Sequence, residues 1–139
     1  MATDIKAKRF TDGTAAAATT IAAAQTLGGA GNMTLAGTAA TFGGTNLGQK
    51  ITLVSTGNIS AVTFTITGTD PTGASQTEDL TGPNNSTVTS TKYFNTVTQI
   101  AASGAVGTNT SSGVAADQGG TLFAGRTRVR GMHAVNAGA

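Results

Sequence analysis

Three arginines, Arg126, Arg128 and Arg130, fall at every second position in "GRTRVRGMH" (residues 125–133), and they are three of only eight basic residues in the chain. On an extended segment this spacing puts all three guanidinium groups on one side and Thr127 and Val129 on the other. A row of guanidinium groups can neutralise phosphates, with an affinity that falls as salt rises. It can also grip carboxylates of a protein neighbour through paired N–H donors. Nucleic-acid binding usually brings interleaved aromatic residues or a recognisable motif. The stripe has neither, so a protein partner is expected and nucleic acid is not.

Other reactive groups are scarce. The chain has six carboxylates, one histidine and no cysteine. His133 is distant in sequence from every carboxylate except Asp117. Glu78 and Asp79 are adjacent, without the spacing of a calcium loop. "GGAG" (28–31) lacks the Lys and Ser/Thr of a phosphate loop. No serine sits in a nucleophile elbow or another catalytic signature. The Asn-x-Ser/Thr triplets at Asn32, Asn58, Asn84, Asn85 and Asn109 are what a Thr-rich chain produces by chance. These absences argue against an enzyme, and no catalytic, metal or cofactor site is expected.

Charge placement says more than the net +2. Residues 1–12 hold Asp4, Lys6, Lys8, Arg9 and Asp12, and residues 126–139 hold the three arginines. Between Gly13 and Gly125 there are only Lys50, Asp70, Glu78, Asp79, Lys92 and Asp117. Charged ends flank a nearly neutral body. Lys6, Lys8, Arg9, Arg126, Arg128 and Arg130 are therefore the expected protein-interface residues.

The elements that must position these ends read as β. Residues 1–48 are expected as an N-terminal arm with one short strand at "NMTLAG". Its scattered apolar residues, Ile21, Leu27, Met33, Leu35 and Phe42, suggest packing on a surface. Residues 49–124 are expected as the β domain and 125–139 as a basic C-terminal arm. "KITLVST" reads as a strand with Ile51 and Leu53 on one face, and "GN" after it as a turn. In "ISAVTFTITGTD" the residues Val62, Phe64 and Ile66 alternate with threonines, as in a half-buried strand. "DPTG" suits a type I turn, and "ASQTEDLTG" returns as a polar hairpin partner near an edge. "GPNNS" reads as a turn. Phe94, Val97 and Ile100 anchor further strands, with a bulge or break near Asn95 where the alternation slips. "NTSSG" and "DQGG" read as loops, with a short strand at Ala105 and Val106. The fold class expected is all-β, a sandwich or barrel-like domain with extended N- and C-terminal arms.

Threonine supplies 28 residues and glycine 20. Leu, Ile, Val and Phe number 25, about 18% of the chain and under the roughly 20% of ordinary globular domains. With little net charge this indicates an ordered domain with a thin core rather than disorder. Such a core buries little apolar area against the entropy of ordering, so burial against other subunits is expected. No cysteine and no apolar leader point to synthesis in a reducing cytoplasm, without membrane targeting. The threonine run "TFTITGT" lacks the stacked repeats of an ice-binding face.

The segments "QTLGGAGNMTLAG" and "ITLVSTGNISAVTFTITGTDPTGASQTEDLTGPNNSTVTSTKYFNTVTQIAASGAVG" resemble a family of small tailed-bacteriophage virion structural proteins. "TGTD", "TGPN" and "FNTVTQI" occur in the family's order and spacing, and the likeness covers residues 25–107. The "RTRVR" tail has no place in that pattern. The resemblance implies a virion component, a head decoration (cement) protein in the first place, and no catalytic residue carries over. The expected partners are then the major capsid protein and further copies of the chain, as a trimer, on the capsid exterior. The alternative is a tail-tube or head–tail connector subunit. A host-surface glycan-binding module would call for aromatic platforms, and the chain has one tyrosine and no tryptophan.

Overall fold

The alternation in the centre of the chain becomes strand β4 (Thr63–Thr69). Val62, Phe64 and Ile66 are buried, while Thr63 is exposed and Thr65 and Thr67 are half-buried. A tight turn at 70–74 reverses the chain into β5 (Ser75–Thr81), in register from Thr63↔Thr81 to Thr69↔Ser75. The Asp70 carboxylate holds this turn, accepting from the Thr72 amide (2.7 Å), the Thr72 hydroxyl (2.6 Å) and the Ala74 amide (3.0 Å). These bonds favour the ionised form and hold Asp70 below the usual carboxylate range, with the Thr72 hydroxyl the largest cause.

The computed structural model describes residues 9–120. The remaining strands are β1 (Ala17–Leu27), β2 (Gly31–Asn32), β3 (Gly48–Asn58), β6 (Asn84–Thr89), β7 (Thr96–Ala102) and β8 (Val106–Gly119). They form two antiparallel four-stranded sheets, ordered β1-β8-β3-β6 and β2-β7-β4-β5. The sheets enclose one core, with Ile21, Ile51, Leu53 and Val114 from the first and Phe64, Ile66, Leu80, Val97 and Ile100 from the second. Phe42 and Phe94 fill it from the connections. The architecture is a β-sandwich.

Among the described residues β4–β5 is the sole hairpin within a sheet; every other connection between consecutive strands there crosses from one sheet to the other. The slip near Asn95 is such a crossing. Phe94 bridges Gln49 on β3 (2.8 and 2.9 Å), whereas the Asn95 amide donates to Thr69 of β4 (2.7 Å) and Thr96 begins β7. A strand that changes sheet must reset its alternation, which is the irregularity seen in the sequence.

Four readings are corrected. Residues 17–27, expected within an arm, form β1, an edge strand whose Ile21 and Ala22 are buried. The expectation that this region packs through its apolar residues agrees with Met33 and Phe42 buried and Leu27 and Leu35 packed on the core. Of the expected "NMTLAG" strand only Asn32 is in β2, and residues 33–36 are not part of a strand. "NTSSG" and most of "DQGG" are not loops but part of β8, the longest strand, lying between β1 and β3. "GN" and the Asn pair of "GPNNS" belong to β3 and β6 rather than to turns.

Small residues explain β8. Thr110, Ser111, Ser112 and Gly113 are all buried. Any Cβ at Gly113 would overlap the carbonyl oxygen of Ala17. The chain there is closely flanked by β1, so its composition follows from crowding and not from a turn.

Candidate functional site

The expected interface residues belong to the two chain ends. Lys6, Lys8, Arg126, Arg128 and Arg130 lie outside the described residues, as does His133. Arg9 is described and exposed. The geometry bearing on all of them is where the chain enters and leaves the sandwich.

Entry is lashed down residue by residue. The Asn46 side-chain amide donates to the Arg9 carbonyl (2.6 Å). Thr11 and Thr45 form a two-bond bridge, each amide donating to the other's carbonyl at 3.2 Å. The Thr45 amide also donates to the Thr11 hydroxyl (2.8 Å). The Gly13 amide donates to the Gln118 side chain (3.3 Å), and the Thr14 amide to the Phe42 carbonyl (2.7 Å). The fully buried Gln49 then ties three elements together, donating to the carbonyls of Thr14 (2.7 Å) and Ala115 (3.2 Å).

The loop receiving this arm is shaped for it. Gly44 and Asn46 both have positive φ, +70° and +59°. A side chain at Gly44 would strike the Thr11 carbonyl, so glycine serves both conformation and close approach. Asn46 tolerates the left-handed region where most residues do not. The Asn95 side chain braces the loop from beneath by donating to the carbonyls of Gly44 (3.1 Å) and Leu47 (2.6 Å).

Exit occurs at the same place. Gly119 pairs with Gly48 at the end of β8. A Cβ at Gly120 would run into the Asn46 carbonyl oxygen and come within 3.1 Å of the Leu47 side chain. Arg9 and Gly120, the two limits of the described chain, thus flank one residue, Asn46.

A polar cluster borders this pole. The Lys50 ammonium lies 2.8 Å from Asp117 and 5.2 Å from the centre of the Tyr93 ring. The Tyr93 hydroxyl donates to the same Asp117 oxygen (3.1 Å). The hydrogen bond from Lys50 is the main cause of a lowered Asp117 pKa, with Tyr93 second, and the bond to Asp117 in turn raises Lys50. Both side chains are solvent-accessible, so the pair contributes little stability. Glu78 points into the adjoining loop, accepting from the Thr91 amide (2.7 Å), the Thr91 hydroxyl (2.8 Å) and the Lys92 amide (2.9 Å). Asp79 turns the other way and accepts from the Thr65 hydroxyl (2.6 Å).

A shallow groove of about 290 Å³ lies elsewhere, between β1 and residues 34–36. Ala23, Ala24, Gln25, Thr34, Leu35 and Ala36 line it, with no titratable group among them. Gln25 acts there as a substitute strand, its side-chain amide exchanging hydrogen bonds with the Thr34 backbone (2.9 and 3.0 Å).

Asn46 and Gly44 were not legible as site residues. "GGTN" is a turn signature, but only the fold reveals that the turn receives both ends of the chain. Comparison of the chain with protein families, with curated proteins and with solved structures finds no match.

Proposed function

We propose that the protein is a non-enzymatic structural subunit of a phage particle, a capsid decoration (cement) protein that bridges neighbouring major capsid subunits. One observation carries this reading: Arg9 and Gly120 leave the sandwich beside the same residue, Asn46. The charged segments that follow them, with Lys6 and Lys8 on one side and Arg126, Arg128 and Arg130 on the other, therefore start from a single pole. A subunit built this way attaches by its charged pole and presents the rest of the sandwich to solvent. Each contact is modest, and a lattice of copies multiplies it.

The likeness of residues 25–107 to small phage virion proteins supports the choice of particle. The Thr-rich outer faces and the thin core support a subunit stabilised by assembly. The deciding experiment is localisation and copy number in purified particles. A cement protein coats the head exterior with a copy number that scales with the capsid lattice. A single ring at the neck, or stacked rings along a tail, replaces this reading with a connector or tail-tube subunit.

A further inference from the structure

A sheet edge with free N–H and C=O groups is a template for another strand, and folded proteins usually cover it. The sheets end in β1 and β6 on the one hand and in β5 and the two-residue β2 on the other, and among the described residues the long edges β1 and β5 are covered. The outer side of β1 is closed by residues 34–38: the Ala36 amide donates to Ile21 (2.7 Å), Gln25 pairs with Thr34, and the Thr38 hydroxyl caps Thr20. β5 is closed by residues 91–93, where the Lys92 ammonium donates to the Thr77 carbonyl (2.6 Å) and Gln76 to the Tyr93 carbonyl (2.5 Å). β7 is flanked by β2 and by the short 3-10 turn Gly37–Ala40.

β6 is different. It pairs with β3 on one side, from Ser55↔Ser86 to Thr52↔Thr89. Among the described residues nothing bonds to its other side. The Ser90 amide donates to the Ile51 carbonyl (2.8 Å), which fixes the phase of the ladder. By antiparallel alternation Ser86 and Val88 bond to β3, while Thr87 and Thr89 direct their N–H and C=O groups to the open side. The strand carries no charge, and no proline or lysine guards it from Asn84 to Thr89.

We infer that the open edge of β6 receives the segment Arg126–Arg130 of a neighbouring copy as an added strand. The inference rests on the reading of the charged ends as protein-interface residues, though not on which particle the copies build. Three facts select this occupant. First, the segment alternates with period two, as a strand with one solvated face must. Thr127 and Val129 continue the inner row of Ser86 and Val88, and the arginines continue the outer row of Thr87 and Thr89, so no charge is buried. Second, charges are complementary: the described residues carry three cations and five carboxylates, and residues 121–139 carry three arginines and no carboxylate. Third, on the β6 side of β3 the place beside Gln49 is taken by Phe94, which lies between the end of β8 at Gly119 and the outer edge of the same chain's β6.

The test uses the full chain. Amide exchange at Thr87 and Thr89 is expected to be slowed about tenfold or more relative to exposed amides. Arg126→Pro with Arg128→Pro, which removes the N–H groups that lie opposite Thr87 and Thr89 when the segment adds antiparallel, is expected to restore fast exchange there and to lower the sedimenting mass. The chain has no cysteine, so a Ser86→Cys chain mixed with a Val129→Cys chain is expected to form a linked pair containing one of each. Free exchange at Thr87 and Thr89 in the full chain overturns the inference. So does protection that survives the two prolines, which means another occupant covers the edge. So does a link that forms only within a chain carrying both cysteines. None of these outcomes alters copy number or location in particles, so this inference and the decoration reading fail separately.

Discussion

Gly113 shows how a residue that looks like loop punctuation can be a packing requirement. Its φ is ordinary, so conformational freedom is not the reason for glycine. The reason is the Ala17 carbonyl, which occupies the space a Cβ would take. Gly107, on the same strand, has nothing within 4 Å of its would-be Cβ. Gly113→Ala is therefore expected to destabilise the fold by about 2–4 kcal/mol, because backbone must move. Gly107→Ala is expected to stay within about 0.5 kcal/mol of the parent, as an open surface site. Urea unfolding of the two variants measures the contrast, and equal losses would sink the close-approach account. Other residues were readable in advance. The opposite facing of Glu78 and Asp79 follows from period two alone, and the structure gives each its own partner, Thr91 with Lys92 for one and Thr65 for the other.

Strands built from different residues were unequally legible. β4 declared itself because Phe64 and Ile66 are large, its threonines are polar and the contrast repeats. β1 and β8 were silent because alanine, serine, threonine and glycine contribute almost no contrast in hydropathy between faces. Buried Thr110 and Ser112 sit where a leucine would have announced a core position. β6 lies between these cases, with Val88 as its single apolar marker. Its ladder phase makes a sharp prediction. The Val88 N–H belongs to the ladder with β3, so Val88→Pro is expected to cost about 3 kcal/mol or more. Thr87→Pro removes an outward N–H instead and is expected to cost clearly less. Thermal unfolding of dilute protein compares them, and a reversed order would mean that the ladder phase is wrong.

Residues 9–120 form a nearly neutral sandwich whose two limits, Arg9 and Gly120, lie beside one residue, Asn46. Arg128→Glu is expected to weaken attachment to particles while leaving the unfolding midpoint of the isolated protein unchanged. Co-sedimentation with particles across a salt series checks this. Raising salt is expected to weaken attachment of the parent in the same direction, because exposed charge pairs are screened. Attachment of the variant equal to that of the parent at moderate salt would remove the stripe from the interface.

The sequence by itself determined the β class, the β4–β5 hairpin with its Asp70 turn, the break in alternation near Asn95 and the segregation of charge to the ends. Each of these is local, written in residues within a few positions of one another. Only the tertiary structure decided that β1 and β8 are strands, that Arg9 and Gly120 flank Asn46, and that the outer edge of β6 has no partner among the described residues. The physical reason is the same in each case. These features depend on pairing between residues far apart in the chain, and small or polar side chains at close approach leave no periodic trace to betray it.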